Sequence, residues 1–197
     1  MRNFCFARSS QTAMKSKIFT RLILLCALIP AIAFSLALSD SVHADDANIA
    51  RQAESDARLT KLENLMFDYV NAERQKAGLK LLVLDSTLSD ISRAHSAEMR
   101  DKNYFAHESP TKELHEPLDR YRLGKGSTPR LVAENIFRSW GSRHEIADAD
   151  AKKAHDSLMN SPGHKANILR AGPTHIGIGF IANANGDLWV TQMFSKP

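Results

Sequence analysis

The chain has 197 residues, with 26 lysines and arginines, 22 aspartates and glutamates, and 43% hydrophobic residues. Five of the basic residues and one acid fall within residues 1–44, so the remainder carries 21 of each sign; that balance excludes the basic footprint of a nucleic-acid-binding protein and gives no overall case for an anionic membrane surface. Both cysteines, Cys5 and Cys26, also lie in that first stretch, which leaves a body of about 150 residues without disulfide, thiol nucleophile or thiolate metal site, yet long enough to bury one core.

Residues 1–44 read as a secretory signal peptide. Arg2, Arg8, Lys15, Lys17 and Arg21 precede an apolar run, LILLCALIPAIAFSLAL, from Leu22 to Leu38, and a V-x-A site places cleavage after Ala44. The alternative is an uncleaved anchor through residues 22–38, although Pro30 interrupts the run. Bulky Leu25 before Cys26 argues against a lipoprotein. Residues 45–57 are polar and aperiodic, a linker or a frayed helix entry, and the domain proper is expected over 58–197.

Leu59, Leu62, Met66, Tyr69 and Val70 recur at helical steps, and Gly78 is placed to end that helix. After the short apolar run LKLLVL, Asp85 or Ser86 caps a second helix with Leu88, Ile91, His95 and Met99 on its inward stripe. Tyr104 and Phe105 are expected to pack, and a charged loop follows with a short helix around 114–123. LVAENIF is apolar but interrupted by Glu134 and Asn135. Residues 144–159 form a third helix with Ile146, Ala147, Ala151, Ala154 and Leu158 inward. HIGIGFIA and DLWVTQMF flank Asn183-Ala184-Asn185-Gly186 as a β-hairpin. Helices first and an antiparallel pair last give an α+β layered domain.

Three polar residues break these patterns. His107 follows an aromatic pair, Glu134 interrupts an apolar run, and His164 sits at the turn-to-helix junction of NSPGHKANIL, where Ser161 caps and Pro162 takes the first helical position. Two imidazoles and a carboxylate form an acid/base set or hold a first-row metal such as Zn²⁺. The spacing is too wide to be a metal signature, so separate structural roles stay open: a loop histidine, a buried acid paired with an arginine such as Arg120, and a first-turn histidine. Asn135 and Asn167 are expected to hold backbone. His95 reads as a core histidine; His115, His144 and His155 read as solvated; His175 lies near the site or at its rim. Ser109 has no G-x-S-x-G context for a nucleophile.

The ordered segments VNAERQKAGLKLLVLD, LSDISRAHSAEMRDKNYFAHESP, AENI, NSPGHKANIL, THIGIGF and WVTQMF resemble the CAP superfamily of cysteine-rich secretory proteins, antigen 5 and pathogenesis-related 1, in its bacterial branch. The resemblance spans residues 60–195. It implies a three-layer α-β-α sandwich with a central antiparallel sheet and a cleft of two histidines and two glutamates that can hold a divalent metal. By motif, His107 and His164 match the histidines and candidate metal ligands, and Glu134 matches one glutamate and is the candidate acid/base. Leu158 stands where a tryptophan is usual, no glutamate follows it, and Asp156 is out of register, so the fourth cleft position is missing.

Two functions follow as expectations. One is a secreted or periplasmic binding module for an envelope component, a lipid or a protein partner, touching the membrane only through an uncleaved N-terminal segment. The other is a metal-assisted hydrolase, with His107 and His164 on the ion and Glu134 as base or third ligand.

Overall fold

In the segment HIGIGFIA, large apolar side chains alternate with glycine, and that alternation organises the layers. The computed structural model describes the backbone of residues 16–140 and 145–197, with side chains from residue 45 onward in those ranges. Its elements are α1 (Ser16–Lys76), β1 (Val83–Leu84), α2 (Ser86–Asp101), a 3₁₀ turn (Lys112–Leu114), α3 (Pro117–Lys125), β2 (Leu131–Ser139), α4 (Asp148–Asn160), α5 (Pro162–Ile168), β3 (His175–Ala182) and β4 (Leu188–Lys196). The chain divides into two compact units, residues 1–53 and 54–197.

The four strands are ordered β1-β3-β4-β2. β3 and β4 form the expected hairpin, and β2 pairs antiparallel with β4, Glu134 opposite Met193. The hairpin turn closes through Gly186, whose φ of 77° suits a residue without Cβ. The sheet departs from the expected antiparallel pattern at one edge, where two-residue β1 pairs parallel with β3.

One face of the sheet presents Ile176, Ile178, Phe180, Leu188, Val190 and Phe194 to Leu62, Met66 and Val70 of α1 and to Ala151, Ala154 and Leu158 of α4. The other face carries the glycines. A Cβ on Gly177 would lie 2.1 Å from the Leu88 carbonyl carbon, and one on Gly179 would lie 2.1 Å from the Arg93 nitrogen. α2 therefore rests its backbone directly on the sheet. Its stripe is buried as expected at Leu88, Ile91, His95 and Met99, and Asp85 caps it by accepting from Leu88 N at 3.0 Å. Tyr121 of α3 joins Leu88, Ile91 and Met193 on this side. The three-layer α-β-α arrangement is thus α1, α4 and α5 over one face, and α2 and α3 over the other.

Several local expectations are corrected. Of the two readings for residues 45–57, the helix entry holds and the linker does not: they belong to α1, where Ala, Gln, Glu and Arg are strong helix formers, and the stretch is exposed throughout. The third helix starts at Asp148, leaving Ala147 exposed and Ile146 half-buried. Phe105 stays 46% exposed while Tyr104 packs beside Met99, Ile136 and Trp189. His155 is buried instead of solvated, tilted against Tyr69 with ring centroids 5.5 Å apart, because its helix turns it inward beside Ala154. Residues 1–15, the side chains of the apolar run 22–38, the cleavage site at Ala44 and His144 lie outside the described residues. Among the described residues no helix is long and apolar enough to cross a membrane.

Candidate functional site

Strand alternation puts Glu134 on the α2–α3 face of β2 and Asn135 on the α4–α5 face. This one dipeptide faces both helical layers. Glu134 is 6% exposed and has both oxygens engaged. His107 Nδ1–H donates to Oε1 at 2.9 Å, and Arg120 Nη2 donates to Oε2 at 2.7 Å. A carboxylate only accepts, so His107 carries a proton on Nδ1. The pairing with Arg120, one of the structural readings open from sequence, is present.

Arg120 is 3% exposed and ties the region together. Nη2 also donates to the His107 carbonyl at 2.9 Å, while Nη1 donates to the carbonyls of Leu114 at 2.7 Å and His115 at 3.2 Å. One guanidinium thereby fixes the acid, the backbone of its histidine and the 3₁₀ turn. His95 belongs here as well: its buried Nε2 lies 3.7 Å from Glu134 Oε1, beyond a hydrogen bond but within electrostatic reach.

Asn135 works on the other side. Its amide donates to the His164 carbonyl at 3.1 Å and to Gln192 Oε1 at 3.1 Å. Asn167 returns the link, donating to Asn135 Oδ1 at 2.9 Å and to the Glu134 carbonyl at 3.2 Å. α5, and His164 with it, is pinned along β2. The far end of α5 is closed by Arg74 of α1, fully buried, whose Nη1 donates to the carbonyls of Ile168 and Arg170, both at 2.8 Å. Ser161 holds the N-cap position of α5 and Pro162 its first helical position, as expected, but the serine side chain makes no capping hydrogen bond.

The electrostatics separate the two histidines. The Glu134 carboxylate raises the His107 pKa above its ordinary 6.5, outweighing burial. Burial lowers that of His164, and the charge on His107 lowers it further. The charge on His107 is thus felt at His164. Between the two pKa values His107 is an imidazolium and His164 a neutral imidazole.

Sequence reasoning missed Glu98. It accepts from Tyr104 Oη and Ser109 Oγ, each at 2.8 Å, from Lys102 Nζ at 2.9 Å, and from Thr111 Oγ1. Burial pushes its pKa up, but these four donors outweigh it and bring the carboxyl down to about 2. The loop carrying His107 is clamped at Tyr104, Ser109 and Thr111, and Ser109 acts as a strut. Glu98 was legible in principle, three residues beyond His95 on the same helix. His175 lies away from this cluster, opening β3 opposite Val83. His115 bonds through Nδ1 to the Ser109 carbonyl at 2.8 Å and is 55% exposed.

Among the described residues no three His, Asp or Glu side chains assemble as a metal cage. Glu134 is spent on Arg120 and His107, so it orients an imidazole in the manner of a carboxylate behind a metal-bound histidine. The donors that remain are the two rings.

These layers and this edge cluster define a small α+β domain of the SCP type. The chain belongs to the cysteine-rich secretory protein (CAP) family, whose family model matches residues 67–194. It is 40% identical over 134 residues to the uncharacterized protein YkwD of Bacillus subtilis (strain 168), covering 68% of this chain and 47% of that one. It is similar to the crystal structure of an extracellular SCP-domain protein from Bacillus anthracis str. Ames, with TM-score 0.60, 31% identity and coverage of 70% and 41%. An outer surface protein from Borrelia burgdorferi shares the fold at TM-score 0.58 and 17% identity, over 69% of this chain and 92% of that one. The chain spans less than half the length of the curated relatives it matches.

Proposed function

We propose that the protein works outside the cytoplasm, secreted or periplasmic, as a binding module whose cleft receives an anionic group of an envelope component, lipid or protein partner. The observation that carries this reading is that both Glu134 oxygens are already committed, to Arg120 and to His107. A carboxylate held by a buried guanidinium is a poor general base, whereas the imidazolium it supports is a ready anion partner. An extracellular role accords with the basic and apolar leader and with the similarity to the extracellular Bacillus anthracis protein. If the leader is retained, residues 22–38 would anchor the domain.

His107 and His164 remain the pair through which a divalent ion such as Zn²⁺ would be held, with water in its other positions. Two imidazoles are fewer than the three protein ligands usual at catalytic zinc. Such an ion would supply Lewis acidity toward the same anionic group. The hydrolase reading has less support, because it needs Glu134 free.

Inorganic phosphate, titrated into the protein while the His107 ring resonances are followed by NMR, tests the binding reading. We expect saturable shifts at the His107 and His164 rings and at the backbone amides of Ala106, Glu108, Gly163 and Lys165, and the amide shifts should disappear in His107→Ala/His164→Ala. Equal shifts in that variant would overturn it, and metal-dependent hydrolysis lost in Glu134→Gln would replace it with catalysis.

A further inference from the structure

β2 is an edge strand of the sheet, and the face that carries Glu134 continues with Ile136 and Arg138 before Trp140 follows the strand. The Arg138 guanidinium lies over two indoles. Its Cζ is 3.6 Å from the centre of the Trp140 ring and 4.8 Å from that of Trp189, the residue opposite it on β4. Trp189 is 3% exposed and Trp140 69%, so one buried and one exposed ring hold the cation in place.

Three observations bear on what this arrangement does. First, Arg138 makes no hydrogen bond and no ion pair among the described residues, so ring faces alone meet its charge. Second, its Nε is buried without a partner, whereas Nη1 and Nη2 keep access to solvent. A guanidinium stacked on rings keeps its in-plane N–H groups for a bidentate oxyanion. Third, Asp187, beside the Leu188 that pairs with Ser139, accepts from Asn183 Nδ2 at 2.8 Å and leaves Arg138 unpaired.

Position along the strand sets the size of the ligand. Glu134, which holds His107 at 2.9 Å, and Arg138 stand four residues apart, about 13 Å by the rise of a strand. The guanidinium leans onto Trp140, away from Glu134, so its length does not close the gap. A single phosphate or carboxylate is too small to touch both cations, whereas a chain of such groups spans them.

We propose that Arg138 is a second oxyanion site, and that the partner is a linear polyanion with a phosphate or carboxylate repeat, lying along the outer edge of β2 with one group on Arg138 and another on His107. The second contact rests on the cleft reading; the Arg138 contact stands without it. Nη1 and Nη2 donate to two oxygens of one group. Because the indoles already fix the guanidinium, little side-chain freedom is lost when the polymer binds.

The chain has two tryptophans, so two indole N–H signals report on the site. Inorganic phosphate, a linear polyphosphate and an oligogalacturonate, both oligomers long enough to span the gap, are titrated separately into the ¹⁵N-labelled protein. Phosphate should shift the Arg138 Nε–H, the Trp140 indole and the His107 ring at separate midpoints. The better oligomer should shift all three at one midpoint, roughly a hundredfold lower, and its identity names the repeat. Arg138→Gln breaks no hydrogen bond among the described residues. It should return that oligomer to the affinity of phosphate at His107. Arg138→Lys, charged but without the fork, should fall between the two. An oligomer that binds no tighter than phosphate, or that is indifferent to Arg138→Gln, would overturn the proposal. An equal response to phosphatidylglycerol vesicles would overturn the polymer in favour of a membrane surface. Shifts at Arg138 and Trp140 with a silent His107 would sink the cleft reading and leave Arg138 as the oxyanion site; shifts at His107 alone would do the reverse.

Discussion

The Asn135 side-chain amide donates to the His164 carbonyl at 3.1 Å, so the residue after Glu134 holds the backbone of His164. β2 thus joins two helical layers: Glu134 gathers His107 and Arg120 from one, and Asn135 gathers α5 from the other.

Removing the charge at Glu134 strands a buried guanidinium. Glu134→Gln should lower the unfolding free energy by about 3–5 kcal/mol, the usual cost of breaking a buried pair from one side. Urea denaturation measures this. Arg120→Met/Glu134→Gln should lose less than the sum of the two single changes, since the residues share one interaction.

The pH dependence has opposing parts. Glu98, at about 2 against an ordinary 4.5, contributes stability that is present above pH 4.5 and is lost as pH falls toward about 2. His95 and His155 are lowered from 6.5 by burial, so each contributes stability above its unfolded value that is lost on acidification through its depressed one. His107 is raised, so its contribution is complete below 6.5 and fades as pH rises through its folded value. Thermal unfolding across this range should weaken on the acid side, and Glu98→Gln should flatten the part of the fall below pH 4.5.

Gly177→Ala tests the close seat of α2. Its Cβ would meet the Leu88 backbone, which cannot swing aside as a side chain would. Overpacking of this kind costs about 1–3 kcal/mol. Chemical denaturation should place the variant at or beyond the upper end.

Arg74→Met should loosen α5 without unfolding the sheet. It removes donors from the carbonyls of Lys80, Ile168 and Arg170. Hydrogen bonds to charged groups contribute about 1.5–3 kcal/mol. Hydrogen exchange should show faster exchange across Pro162–Ile168 while the β3 and β4 amides stay protected.

Zinc titration by calorimetry addresses the two rings as ligands. We expect weak heats in the wild type that vanish in His107→Ala/His164→Ala; identical heats would remove the metal from the account.

Much of the fold was legible because periodicity and turn chemistry are local. The α2 stripe, the Asp85 cap, Gly78 and the Asn183–Gly186 hairpin all follow from residues within a few positions of one another. The convergence of His107 and Glu134 was legible only as a misfit, a carboxylate inside an apolar run, supported by motif resemblance. Arg74 was not found, because the carbonyls it binds come together only after folding; Glu98 offered only its place one turn beyond His95, and its hydroxyl donors likewise assemble only on folding. His155 was misread for the same reason: charged neighbours in sequence say nothing about which face of α4 meets Tyr69. Gly177 and Gly179 look like weak strand residues until α2 is placed against them.

The most direct test of the shared cleft is an NMR titration of the His107 and His164 rings in the wild type and in His107→Gln. The account predicts half-titration above 6.5 for His107 and below 6.5 for His164, with His164 moving upward once His107 is replaced. Two rings titrating at ordinary values, with His164 indifferent to the replacement, would contradict it.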